Sequence, residues 1–365
     1  MTLERWKNEG NSAKQKEKST KYLLSYRIVL SLYLELQIHL EQMHQEQLTK
    51  ENLRIVFMGT PEFAVGSLRA LVEGGYKVVA VVTQPDKPVG RHHDTLQASE
   101  VKKYALAQGL PVLQPEKMKD SAFLEQLASY KADLQVVVAF RMLPEVVWAM
   151  PPLGTFNVHA ALLPQYRGAA PINWAVINGE TTTGVTTFFL DHQIDTGRII
   201  LQKTMPIPDD ADVEYVYNHL MVLGAQLCLE TIDQLIENDG EILSTPQEHY
   251  AVDEAELHPA PKIFKETCQI NWHQPAKRVY DFIRGLSPYP AAWTIATDGN
   301  GKQQTLKIYK SSKTNLAADE TPGTMWVENK KLYFATEDNW LEITELQMAG
   351  KKRMSAKDFL NGWRE

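Results

Sequence analysis

The chain has 365 residues, 44% of them hydrophobic and 23% charged, which is ordinary for a soluble globular protein and long enough for two domains with separate cores. Its net charge of −7 argues against a protein that coats nucleic acid by bulk electrostatics, although a local basic patch could still hold an RNA. The two cysteines, Cys228 and Cys268, are far apart, show no zinc spacing and read as idle thiols in a reducing compartment.

Residues 1–50 read as an extension outside the folded enzyme. Residues 1–20 are polar and charged, a composition consistent with disorder. Residues 22–40 are apolar, but Arg27, Glu35 and His39 interrupt them, so they make a poor membrane span, and no small-residue cleavage site follows. Glu4, Glu9 and Glu17 spoil the acid-poor pattern of a mitochondrial leader. The extension is expected to be a helical appendage or, preferably, a leader produced by a start codon chosen upstream of Met43.

Residues 53–61 then predict a buried parallel strand ending in a tight turn at Gly59. A helix over 63–73 and a strand over 77–83 complete the strand–helix–strand opening of a doubly wound sheet. Gly59-Thr60-Pro61-Glu62-Phe63 lacks the second and third glycines of a dinucleotide fingerprint, which argues against NAD. Residues 84–100, with Pro85, Pro88, Gly90 and Arg91, read as a loop. Helices over 99–108 and up to 130 flank a short strand at 110–113, and the next strand spans 134–140. Phe140, Arg141, Met142 and Leu143 fall at its carboxyl end, where open α/β sheets place ligands. Met142 and Leu143 fit a plain core equally well.

After a short helix over 146–150 comes the stretch Phe156-Asn157-Val158-His159-Ala160-Ala161-Leu162-Leu163-Pro164-Gln165-Tyr166-Arg167-Gly168. In an extended backbone Asn157 and His159 share one face, so an amide and an imidazole point into one pocket. An amide can donate to a developing oxyanion, and a neutral imidazole can take a proton from an attacking amine. An isolated Asn-x-His is more often a satisfied polar pair. Here Pro164 and Gly168 impose a shaped loop directly after a buried-looking strand. Asp195, in the Asp195-Thr196-Gly197 turn after the strand 184–190, could supply a carboxylate that fixes the histidine tautomer and raises its basicity.

A helix over 172–177 and a long amphipathic helix over 213–237 complete the first domain. Residues 238–261 are rich in proline, glycine and acid and read as a linker. Beyond them a helix over 276–286 is broken at Ser287-Pro288-Tyr289-Pro290. Five short strands follow, at 292–296, 305–309, 323–327, 331–335 and 341–346, with a turn at Asp298-Gly299-Asn300-Gly301. They predict a small β-barrel, a form that often binds nucleic acid. Lys307, Lys310 and Lys313, with Lys351, Lys352 and Arg353, give it basic surface.

The run Asn157-Val158-His159 with Leu162-Leu163-Pro164-Gln165-Tyr166-Arg167-Gly168-Ala169-Ala170-Pro171 resembles the signature of folate-dependent formyltransferases, and Asp195-Thr196-Gly197 resembles their second catalytic segment. The resemblance extends from about Leu53 to the end of the chain and is strongest to those members that formylate the methionine on initiator tRNA. It implies a Rossmann-like formyltransferase domain followed by an oligonucleotide-binding (OB)-like barrel, with domains at 51–240 and 262–365 joined by 241–261. It implies Asn157, His159 and Asp195 as the catalytic set. Ala161, Leu162, Leu163 and Pro164 would lie against the folate, and Phe140, Arg141, Met142 and Leu143 would wall its pterin pocket. Arg91 matches the arginine of a loop that enters the acceptor arm of the tRNA, with Lys87 nearby. His92-His93-Asp94 stand where relatives are often lysine-rich, so that loop is less basic than its counterparts.

Two further positions depart from the pattern. Ala161 stands where the family usually has serine, with the expected loss of one folate-side hydrogen bond, on the order of 1 kcal/mol. Arg198 stands where many relatives carry an acid. The expected activity is transfer of a formyl group from 10-formyltetrahydrofolate, as cosubstrate and without a metal, to the α-amine of methionine on initiator tRNA. The chain is expected to act in the cytoplasm, as a monomer and without a membrane. Rival readings are a formyltransferase for an amino sugar or a nucleotide precursor, and a non-catalytic tRNA-binding relative.

Overall fold

The computed structural model describes residues 47–89, 95–250 and 254–363, with the single position 31 before them. The chain divides into two units at 48/49, and the expected extension lies almost wholly outside the described residues, so the fold below is that of residues 49–365.

The fold opens with β1 (Ile55–Gly59), whose five residues are all buried. That fits a strand covered on both faces, where a continuous apolar run replaces alternation. Next come α1 (Glu62–Glu73) and β2 (Val78–Val82). The segment predicted as a loop carries a hairpin of β3 (Lys87–Val89) and β4 (Thr95–Gln97). Its base is pinned by Asp86, which accepts from Lys102 at 2.7 Å and from Gln114 at 2.8 Å. Then α2 (Glu100–Ala107), capped by the Ser99 hydroxyl, leads through β5 (Val112–Leu113) to α3 (Ser121–Ser129), capped by Asp120. The domain continues with β6 (Leu134–Val138), α4 (Glu145–Trp148), β7 (Thr155–His159), α5 (Pro171–Ile177), β8 (Thr182–Phe189), β9 (Ile199–Pro206) and α6 (Val213–Glu237).

These strands form one sheet in the order β5-β2-β1-β6-β7-β8-β9. The first five run parallel, while β8 and β9 are antiparallel additions at one edge. From β1 the chain runs outward to β2 and β5, then crosses to β6 on β1's other side. That reversal places a crevice beyond the carboxyl ends of β1 and β6. Arg54 and Asp133, just before these two strands, fix their register through side-chain bonds of 3.0 and 2.6 Å and a backbone bond of 2.8 Å. Across the sheet, α6 lies close because Gly224 has no side chain; a Cβ there would sit 3.3 Å from Val158.

The second domain comprises α7 (Ala276–Leu286), β10 (Ala292–Thr297), β11 (Gln303–Ala317), β12 (Met325–Glu328), β13 (Lys331–Ala335), β14 (Asn339–Met348), β15 (Met354–Ser355) and α8 (Ala356–Leu360). Its antiparallel sheet has the order β10-β11-β14-β13-β12, with β15 added to β14. Among the described residues β10 and β12 do not pair, so the barrel stays open. Val279, Ile283 and Leu286 of α7 join Leu306, Ile308, Phe334 and Leu346 in one core. The predicted strand at 305–309 extends to fifteen residues because β11 pairs with β10 and then, through register shifts, with β14. β15 and α8 were not predicted.

Helices α5 and α7 cross closely, since a Cβ on Gly285 would meet Ile177 at 2.6 Å. Beside this crossing Asp281, which is 1% exposed, pairs with Arg284 at 2.8 Å and Lys277 at 2.6 Å. Arg284 also donates to the Ala211 carbonyl of the first domain at 2.7 Å.

Candidate active site

A cleft of about 890 Å³ opens at the crevice between β1 and β6. Pro61 and Phe63 line it from the turn after β1, residues 139–143 from the end of β6, and residues 157–160 from β7. The second domain contributes Pro288 and Tyr289, and the start of α6 contributes Glu214, Tyr217 and Asn218. Cleft size and position at the sheet's switch point both suit a small-molecule site.

Asn157 and His159 face this cleft together, as the period of an extended strand predicts. The Asn157 Oδ1 is buried without a hydrogen-bond partner. A buried orphan of this kind costs about 1–3 kcal/mol unless a ligand completes it. His159 is 6% exposed, and its Nε2 lies 2.9 Å from the Tyr166 carbonyl. A carbonyl only accepts, so Nε2 carries the proton and Nδ1 is the basic nitrogen of the neutral ring. The Asp195 carboxylate faces Nδ1 at 3.9 Å, too far for a hydrogen bond. The tautomer is therefore fixed by the Tyr166 carbonyl, not by Asp195 as the sequence suggested. Asp195 lies on the side of the ring's unprotonated nitrogen.

Strained backbone surrounds these groups. Ala139, Tyr166 and Asp195 all lie in the left-handed region, with φ of 46°, 60° and 56°. Such conformations persist where neighbouring contacts hold them, and they cluster at functional sites. Asp195 Oδ2 accepts from the Gly168 backbone N–H at 2.9 Å. Gly168 is itself required, because φ is +128° and a Cβ would meet the Ala260 carbonyl at 2.5 Å. The Tyr166 hydroxyl donates to Glu180 and accepts from Asn178 at 3.2 Å; burial, then the Glu180 carboxylate, push its phenol up, so it remains a donor.

The residues expected to touch folate divide into two groups. Phe140, Arg141, Met142 and Leu143 line the cleft, and Met142 is 70% exposed at its edge. Arg141 donates to the Glu116 carbonyl at 2.9 Å and to the Pro115 carbonyl, while its Nε is buried without a partner. Burial lowers its pKa. Ala161, Leu162, Leu163 and Pro164 do not line the cleft. Ala161 is fully buried, and its carbonyl accepts from Thr186 at 2.7 Å. Arg198 donates to the Ser244 hydroxyl at 2.9 Å and to the Ser244 carbonyl, so this departure fastens the segment after α6 to β9.

The expected RNA-binding residues lie away from these groups in the chain. Arg91 falls outside the described residues, and Lys87 is exposed on β3. Lys351 and Lys352 are exposed between β14 and β15, whereas Arg353 is committed to a two-pronged pair with Glu345 and lies 4.3 Å from the Tyr309 ring centre. Among the described residues no cluster of His, Cys, Asp or Glu could hold a metal, and no helix is long and apolar enough to cross a membrane. Sequence reasoning missed Tyr289, Tyr217 and the Tyr166 carbonyl. Tyr289 alone carried a signal, as an aromatic between two prolines in a helix-breaking segment.

Residues 53–232 match the family Formyl transferase, and residues 262–364 match Formyl transferase, C-terminal domain. The chain is 62% identical to the methionyl-tRNA formyltransferase of Parabacteroides distasonis over 317 residues, covering 87% of this chain and 97% of that protein. It is 58% identical to the methionyl-tRNA formyltransferase of Bacteroides fragilis, over 86% of this chain and 96% of that one. Among solved structures it resembles an N-formyltransferase from Helicobacter canadensis in complex with folinic acid and dTDP-3-aminofucose, with a TM-score of 0.58, 20% identity and coverage of 82% and 99%. It also resembles HypX from Aquifex aeolicus in complex with tetrahydrofolic acid, with a TM-score of 0.56, 19% identity and coverage of 86% and 48%. At those identities the structural likenesses show the fold alone. The sequence matches span both domains, and on them the chain belongs to the methionyl-tRNA formyltransferase family.

Proposed function

We propose that the chain transfers the formyl group of 10-formyltetrahydrofolate to the α-amine of methionine on initiator tRNA. The observation that carries this reading is one cleft that holds the Asn157 amide, whose buried Oδ1 has no partner, beside an imidazole whose basic nitrogen faces a carboxylate. Residues 139–143 and the unpartnered Arg141 Nε fit a flat, polar-edged ring such as a pterin. The amine nitrogen bonds to the formyl carbon, and Asn157 donates its amide N–H to the oxyanion that develops there. His159 Nδ1 takes a proton from the amine, with the resulting charge stabilised by Asp195. The carbon–nitrogen bond to the folate breaks, the folate nitrogen regains a proton, and formylmethionyl-tRNA and tetrahydrofolate leave.

The second domain, with Lys351 and Lys352, and β3, with Lys87, would hold the tRNA, together with Arg91, which follows β3 in the sequence. The buried free thiols Cys228 and Cys268 suit a reducing compartment such as the cytoplasm. The proposal is tested by formyl transfer assayed with initiator Met-tRNA, uncharged tRNA, free methionine and an amino sugar nucleotide. Turnover with charged initiator tRNA supports it, and turnover only with the amino sugar refutes it.

A further inference from the structure

The catalytic reading leaves unused a buried glutamine that touches both loops around His159. Gln247 lies in the segment that reads from sequence as a linker and is 4% exposed. Its Nε2 donates to the Asp195 carbonyl at 2.9 Å and to the Gly197 carbonyl at 2.8 Å. Its Oε1 accepts from Arg167 Nε at 3.0 Å and from Nη2 at 2.6 Å. Both amide hydrogens and the amide oxygen are thus engaged, and no hydrocarbon side chain could replace them without stranding buried carbonyls.

We propose that Gln247 is a positioning residue for formyl transfer, holding the Asp195 turn at its working distance from His159. The proposal rests on the catalytic reading above. Asp195 has a left-handed backbone, and Gly197 is packed so tightly that a Cβ would lie 1.7 Å from the Phe189 carbonyl. A strained turn of this kind needs contacts outside itself to persist. Gln247 supplies them from a fixed base. Two residues earlier Thr245 exchanges two backbone bonds of 2.8 Å with Ile199, and Arg198 grips Ser244. Through Arg167, the same amide ties the Asp195 turn to the loop whose Tyr166 carbonyl fixes the His159 tautomer. Both inputs to the histidine therefore meet at one side chain. A displacement of about 1 Å in such a site is enough to cost up to a hundredfold in rate.

The alternative is that Gln247 only fastens the chain after α6. A double-mutant cycle with Asp195 separates the two roles, using the full-length chain, 10-formyltetrahydrofolate and initiator Met-tRNA. Gln247→Glu keeps the acceptor for Arg167 but removes both donations, and Gln247→Met removes everything at similar volume. Each is expected to lower kcat by about tenfold to a hundredfold, with KM for both substrates unchanged. On an Asp195→Asn background the same substitutions should cost less than about threefold, because there is no charge left to position. Arg167→Met, which loosens the amide while leaving it in place, should show the same dependence and serves if neither glutamine variant folds. A loss that multiplies in full on the Asp195→Asn background, a loss confined to KM, or no loss overturns the proposal. A wild-type chain that transfers no formyl group overturns this inference together with the reading it rests on. An active wild type indifferent to Gln247 overturns this inference alone.

Discussion

Asn157 and His159 are two residues apart on β7, and the strand's period turns that spacing into a shared face. The pairing was legible because alternation needs no knowledge of the rest of the fold. Asp195 was legible as a candidate, but of the two roles read for it the fixing of the tautomer falls to another group. Its 3.9 Å separation from Nδ1 leaves it without a hydrogen bond to the ring, while a backbone carbonyl accepts from Nε2 and sets the tautomer. A carbonyl has the same chemistry at every position, so no sequence pattern marks the one at Tyr166. Gln247 was hidden for another reason: it lies 52 residues from Asp195, in a stretch whose composition signals a linker. Ala161, read as lying against the folate, is fully buried and does not line the cleft. The prediction at this scale concerns the orphaned amide: Asn157→Ala should lower kcat by 100-fold or more, roughly 3 kcal/mol of transition-state stabilisation, while KM for the folate changes little. Steady-state kinetics check it.

Helices and buried strands were read closely from sequence, since α6 and α7 begin and end where their apolar periodicity does. Shorter pieces were not. The three-residue strands β3 and β4 carry too few alternations to outweigh Pro85 and Pro88, and β11 bends through register shifts that no binary pattern encodes. Two predictions belong at this level. Burial pushes the Asp133 carboxyl up, but bonds from the Arg54 side chain and backbone outweigh it and hold the net value below the ordinary carboxylate range. That stabilisation is present above the unfolded carboxyl's value, about pH 4, and is lost as pH falls through the lower folded value. Asp133→Asn should therefore cost about 1–2 kcal/mol at neutral pH, with the gap to wild type narrowing below about pH 4 in chemical denaturation. Gly197→Ala is the second. With a Cβ placed 1.7 Å from the Phe189 carbonyl, the turn must shift, so both Tm and turnover should fall. Unchanged turnover in that variant would show that the turn's position is unimportant.

The domain order was legible at the scale of the whole molecule, because a continuous βα pattern gives way to short strands. The joint between domains was not. It depends on Gly285 crossing Ile177 and on the Asp281–Arg284 pair reaching Ala211, contacts that couple residues far apart in the chain. The joint brings Pro288 and Tyr289 to the cleft of the first domain. Lys351 and Lys352 are exposed between β14 and β15, while Arg353 is tied to Glu345. If the lysines meet tRNA phosphates, Lys351→Glu with Lys352→Glu should weaken tRNA binding and flatten its salt dependence by about one unit of slope per lost contact. KM for the folate should stay constant. A salt titration of binding by filter retention or anisotropy decides this.

The most direct test of the account is formyl transfer from 10-formyltetrahydrofolate to initiator Met-tRNA, measured side by side for the wild type and Asn157→Ala. The account predicts turnover that requires the charged initiator tRNA and drops at least 100-fold in the variant, with the folate still bound. Equal turnover in the two proteins would contradict the assignment of the cleft's amide, and tRNA binding without turnover in the wild type would contradict catalysis itself.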